Sequence, residues 1–207
     1  VSRICCQSMG VLPCACIGAG CAPGCGGNKH IGQAAVTIHP MPFTPLHMGP
    51  GLAIKAVMQR RFSLLVFGWS QVVIDLQPLL AMTTGRVELH GFSHTLLGAT
   101  LIGLLCGLSG KHLAEWGLRL LREPRHLPVR WRVTFGSAFI GTYSHVLIDS
   151  VMHVDVLPFY PFNPASPLHA LISIDALHVV CLATAAAGGL AWYAVDRAIG
   201  HKGREAE

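Results

Sequence analysis

Residues 62–82 read FSLLVFGWSQVVIDLQPLLAM, an apolar run in which Asp75 is the only charged residue. A helix needs about 20 such residues to cross the hydrocarbon core of a bilayer. A carboxylate inside it costs on the order of 2.5–3.5 kcal/mol, so its default reading is a functional group with a partner. His94, His145, Asp149, Asp175 and His178 stand in the same relation to other apolar stretches further along the chain.

Composition supports the membrane reading. Of 207 residues, 52% are hydrophobic and 12% charged, where soluble domains carry about 25% charged residues. Mean hydropathy is +0.51. The net charge of +5 is not gathered into a basic stripe with interleaved aromatics, so nucleic acid is not an expected partner. The lipid bilayer is.

Four stretches are long enough to span: Phe62 to Met82, Phe92 to Ser109, Val133 to Met152, and about His169 to Val195. Leu46 to Met58 is shorter and reads as a re-entrant or interfacial helix, stopped by Arg60-Arg61. The expected fold class is therefore an all-α membrane protein, a bundle of about four transmembrane helices plus that short N-terminal helix. Lys55, Arg60 and Arg61 precede the first span, Lys111 to Arg132 hold six basic residues between the second and third, and Arg197, Lys202 and Arg204 follow the fourth. Only Arg86 falls on the other side, so the basic face is expected in the cytoplasm. HLAEWGLRLLR in the second of these clusters resembles an amphipathic helix lying on the inner surface.

Residues 1–40 are rich in Cys, Gly and Pro, contain no Asp or Glu, and carry no CxxC pair. They are expected to lie outside the fold, with a signal peptide or a lipid-anchored Cys21 as the rival reading. The domain is expected over 41–196, followed by a polar tail, 197–207.

With this topology Asp75, His90, His94, His145, Asp149, Asp175 and His178 all fall within roughly 15 Å of one membrane face at 1.5 Å per residue. Charges placed only for helix packing have no reason to share a depth; one site is the simpler account. HGFSH places His90 and His94 four apart, and SHVLID does the same for His145 and Asp149. On a helix each pair shares a face and can reach a common metal. Asp75 comes from a third segment, and Pro78 after it leaves the carbonyl of Ile74 without its usual donor. His and Asp are the nitrogen and oxygen donors of a divalent metal site, zinc in particular. His153 and Asp155 lie beside the site as acid–base candidates, and Asp175 with His178 could orient a ligand. LPFYPFNPASPLH reads as an interfacial belt or cap, non-helical through its prolines. His112, His126 and His201 fall at the inner face and are expected to play no part.

PLHMGPG, VVIDLQP, HGFSHT and SHVLIDSVMHVDVLPFYPF together resemble the YdjM-like family of bacterial inner-membrane metal-dependent hydrolases, itself distantly similar to zinc-dependent phospholipase C. The resemblance covers about residues 42–195. It implies a multi-pass protein of the cell inner (plasma) membrane with His47 as the N-terminal ligand and Asp75 as the acidic one. It further implies His90 and His94 as paired ligands and His145 with Asp149 as an HxxxD unit. The chain departs from the family pattern where IDLQP replaces PDxDH and HGFSH replaces HRGxTH. Both changes reduce an expected two- or three-metal cluster to one metal or to none.

The leading functional expectation is a metal-dependent hydrolase acting on an ester or phosphoester of an amphiphilic or lipid-like substrate, with Asp75, Asp149 or Asp155 accepting a proton. A proton- or cation-handling transporter is the alternative, although no internal repeat supports it. A non-catalytic scaffold with a structural metal site is the third.

Overall fold

The computed structural model describes residues 45–85 and 90–204. The expectation for residues 1–40, the placement of Arg86 and the last residues of the tail lie outside them. Among the described residues all regular structure is helical: α1 Met48–Met58, α2 Leu64–Ile74, α3 Leu76–Thr83, α4 Leu96–Leu120, α5 Trp131–Met152 and α6 Ile174–Arg204, with short 3₁₀ turns at Pro45–His47, Gln59–Arg61, Phe92–His94 and Pro124–His126.

The helix boundaries have local causes. Ser63 caps α2 by accepting from the amide of Val66, and Thr95 caps α4 by accepting from Gly98, each satisfying an otherwise orphaned donor. The break at Asp75 between α2 and α3 follows from Pro78, which has no N–H to return to Ile74 and crowds that carbonyl. Asp75 thus sits at a kink.

Two readings of the second span need correction. HGFSH is not α-helical: His94 closes a 3₁₀ turn and the helix starts only at Leu96, so His90 and His94 do not share a helical face. Nor does HLAEWGLRLLR lie separately on the surface. It continues α4 to Leu120, because nothing between Ser109 and Lys111 breaks the helix and Gly110 seats it against Val66 of α2.

α2, α4 and α5 pack on one another, and α1 lies along α6. Small residues make these approaches possible. A Cβ at Gly49 would collide with the carbonyl oxygen of Cys181, and one at Gly188 with the backbone of Ala53, so α1 and α6 run in parallel at backbone contact. The interior is compact and partly polar. Val66, Cys106, Ala114, Val129 and Ala138 form one buried cluster, Ile74, Ala99 and Val146 another. Hydrogen bonds cross between helices from the Ser63 amide to Ser137 Oγ at 2.9 Å, from Trp69 Nε1 to Ser109 Oγ at 3.0 Å and between Thr100 and Tyr143 at 2.8 Å.

The outside is apolar instead: Leu97, Leu101, Leu104, Leu105 and Leu108 of α4 and Val179, Val180, Leu182 and Leu190 of α6 are all exposed. Soluble monomers rarely present faces of this kind at such length. Three helical stretches, Leu64–Thr83, Leu96–Leu120 and Ile174–Ala198, are long and apolar enough to cross a membrane. They coincide with the first, second and fourth expected spans. α5, the third, is 22 residues long but is not among them; it buries Thr134, Ser137, Thr142, His145, Asp149 and Ser150.

A candidate metal centre at one end of the bundle

Four elements bring their polar residues to one point. His47 ends the first 3₁₀ turn, Asp75 occupies the kink between α2 and α3, His94 ends the turn before α4, and His145 and Asp149 lie one turn apart on α5. His47, His94 and His145 are each no more than 2% exposed and Asp149 is 5% exposed. Nothing apolar would justify burying four such groups together; they must satisfy one another or a shared cation.

Asp75, His94, His145 and Asp149 each offer one donor atom, all within 4.8 Å of one another. Asp75 Oδ1 lies 3.0 Å from His145 Nε2 and 3.7 Å from His94 Nε2, while Asp149 Oδ2 lies 3.0 and 3.1 Å from the same two nitrogens. His47 Nε2 is 3.4 Å from Asp149 Oδ1, and its ring stands edge-on to His145 at 4.6 Å. Bonds of 2.0–2.2 Å from a single zinc-like cation would draw any two donors to within about 4.4 Å, close to the spacing seen.

Direction separates this cluster from a plain salt-bridge network. The distances are those of ion pairs, yet Nε2 of His47, His94 and His145 makes no hydrogen bond, because the ring N–H lines miss the carboxylates. The opposite nitrogens of His145 and His94 are occupied, whereas Nδ1 of His47 is unpartnered too. Gln71 Nε2 donates to the Gly141 carbonyl at 2.9 Å, which turns Gln71 Oε1 toward His145 Nδ1 at 2.8 Å. An amide oxygen only accepts, so His145 carries a proton on Nδ1, which leaves Nε2 as the ring atom available to a cation. His94 Nδ1 meets Ser93 Oγ at 2.8 Å. An outer partner on one ring nitrogen and an open Nε2 facing carboxylates is the arrangement of a metal-ligating histidine. The residues present therefore fit a divalent cation.

His90 is placed differently from the expectation that groups it with the other ligands. It forms a second group with His153 and Asp155. Its Nδ1 is 3.0 Å from Asp155 Oδ2, its ring stacks on His153 at 4.5 Å, and it remains adjacent to His94 at 4.8 Å between ring centroids. Burial pushes the His90 imidazole below its ordinary value, with the neighbouring His94 adding to the shift. Burial works to raise the Asp155 carboxyl, but the His90 hydrogen bond, the His90 charge and backbone hydrogen bonds together hold the group below the usual carboxylate range. Asp155 is the most open carboxylate here, its side chain 46% exposed.

The proline-rich segment after α5 closes over this end. The carbonyl of Pro158 accepts from the Leu96 amide at 2.8 Å, and that of Val151 from Ala170 at 3.0 Å. Val156 and Pro158 are buried while Phe159, Tyr160 and Phe162 face outward. Asp175 is exposed and His178 half-buried; neither belongs to either group.

Gln71, Gln77 and Ser93 have structural roles that the sequence reading does not assign. Gln77 Oε1 accepts from the Ser93 amide at 2.8 Å and so holds the HGFSH turn to the kinked helix. Their signal was available: Gln71 is a polar residue inside an apolar run, one helical turn before Asp75 and on the same face. No family model matches the chain, and neither curated proteins nor solved structures provide a match, so the chemistry of the centre has to be read from these residues.

Proposed function

We propose that the chain is a multi-pass protein of the bacterial inner membrane, of the YdjM-like type, whose cluster binds a divalent metal and hydrolyses an ester or phosphoester of an amphiphilic substrate. The observation that carries the reading is the set of three buried Nε2 atoms, unpaired by hydrogen bonds and facing the buried carboxylate of Asp149 and the half-buried one of Asp75. A donor set of imidazole and carboxylate suits zinc. Asp75, His94, His145 and Asp149 would hold the ion, with His47 beside them. A cation bound there supplies Lewis acidity, lowering the pKa of water toward ~7 and polarising the substrate's oxygen.

The remaining steps belong to the protein. Asp155 is separate from the four clustered donors, ionised and open to solvent, and is placed to take up a proton. His90 holds that carboxylate through Nδ1 and links it to His94. The segment from Val156 to Asn163 shields the centre on one side, and its exposed Phe159, Tyr160 and Phe162 suit the interfacial region where an amphiphile presents its polar group. In this reading α5 is a fourth crossing, its polar side sheltered by α2 and α4 and its site end opposite the Lys/Arg-rich end.

The test is metal content and turnover of the detergent-purified protein. Wild type should carry stoichiometric metal and hydrolyse an ester or phosphoester amphiphile. Metal without turnover across both substrate classes would favour the scaffold. Absence of stoichiometric metal after anaerobic, zinc-supplemented purification would leave the proton-relay transporter, with Asp75 and Asp149 as carriers.

A further inference from the structure

The opposite end of the bundle holds a partly open cavity of about 1030 Å³. It forms where α1 ends, α2 and α5 begin, α4 ends and the later part of α6 passes. Ligand pockets typically measure about 300–1,000 Å³, so this one accommodates a large molecule. Leu52, Leu64, Leu118, Val133 and Trp192 give it an apolar lining.

Its charges are unbalanced. The acids in the lining are Glu123 and Asp196, and both are engaged by Arg125, at 2.7 and 3.1 Å. Arg60, Arg61 and Arg130 also line the cavity, are exposed, and make no ion pair among the described residues. The turn carrying two of them is built deliberately. Lys55, only 8% exposed, donates from Nζ to the carbonyls of Gln59 and Phe62, 2.8 Å each. This clamp holds Gln59 at a φ of 47°, a conformation that costs a non-glycine residue about 1 kcal/mol or more. A buried ammonium thus fixes the arginine pair at the cavity.

We propose that this cavity is a binding site for an anionic phospholipid, its phosphate held by Arg60, Arg61 and Arg130 and its acyl chain by the apolar lining. The division of the lining into unpaired guanidiniums and hydrocarbon matches a molecule divided the same way. Arginine forks suit phosphate oxygens, and basic pockets between membrane helices are recognised sites for anionic headgroups. A zwitterionic lipid would bring its own cation to the arginines, and free phosphate would leave the hydrocarbon uncovered. The inference rests on the membrane placement of the helices but not on the metal centre.

The test uses the full chain in mild detergent, with lipid binding followed by native mass spectrometry. Phosphatidylglycerol should bind at least tenfold more tightly than phosphatidylcholine with the same acyl chains, and glycerol phosphate should not compete in that range. The triple variant Arg60→Gln, Arg61→Gln, Arg130→Gln should lose the preference. The matched variant Arg119→Gln, Arg122→Gln, Arg132→Gln, which removes equal charge outside the cavity, should keep it. Gly189→Leu offers an independent probe with all charges intact: a Cβ at that cavity-lining position meets nothing within 4 Å, so the side chain fills the space and should weaken phosphatidylglycerol binding tenfold. Equal binding of the two lipids, equal loss in the matched variant, or full competition by glycerol phosphate would each overturn the proposal. Bound metal should be unchanged in every variant, which separates this outcome from failure of the hydrolase reading.

Discussion

The two ends of this helix bundle use charge in opposite ways. At one, His47, His94, His145 and Asp149 are buried to within a few per cent of complete exclusion and converge with the half-buried Asp75 on a single point. At the other, arginines remain exposed around a cavity, and only Lys55 is buried, with both of its hydrogen bonds spent on backbone carbonyls. Buried ionisable groups must be satisfied in place, so those at the first end must satisfy one another or share a small cation. Exposed guanidiniums are satisfied by water until something displaces it, so the second end is suited to a larger, exchangeable ligand.

The difference can be broken most sharply at His145. Replacing it with alanine should remove most of the bound metal, since it deletes one of four converging donors and leaves two carboxylates facing each other; retention of stoichiometric metal in His145→Ala would dissolve the centre as described. Asp155→Asn comes next. Turnover should fall on the order of 100-fold, the usual scale of general-base loss, while metal content stays at the wild-type level. A parallel loss of metal would move Asp155 from proton acceptor to ligand support.

Gln71→Leu probes the outer partner of His145. Without the amide oxygen, His145 Nδ1 loses its acceptor, and metal affinity measured against a chelator should drop about 10- to 100-fold. An unchanged affinity would mean that the imidazole is oriented by packing alone. Away from both ends, Ser137→Ala removes the hydrogen bond from the Ser63 amide and should lower stability by about 1 kcal/mol, read from thermal unfolding in detergent. The smallest effect belongs to the basic end: His112→Ala should leave metal content untouched, because His112 is exposed beside Trp131 near the far end of α4.

Much of the architecture was legible because membrane helices declare themselves through length and apolarity. Three of the four expected spans reappear as helices apolar enough to cross, while α5 reads as more polar because its inward side carries the site and the small hydroxyl residues around it. The pairing of His145 with Asp149 was legible for the same reason: inside a continuous helix, residues four apart share a face. The same rule misleads at His90 and His94. Gly91 there sits against the side-chain amide of Gln77, which a Cβ would have to displace, and the segment folds into a 3₁₀ turn that a helical periodicity does not describe.

From sequence alone came the expectation that the polar residues share one depth, since helix rise is fixed and the apolar stretches are bounded by basic clusters. Depth, however, is only one coordinate. Which residues meet depends on helix rotation and on loops, and these are set by side-chain fit between segments far apart in the chain. Tertiary structure therefore decided that Asp75, His94, His145 and Asp149 converge, that His90 turns instead to Asp155 and His153, and that Asp175 and His178 stay apart. It also decided the cavity among Arg60, Arg61 and Arg130, because no local pattern announces a space formed between five helices.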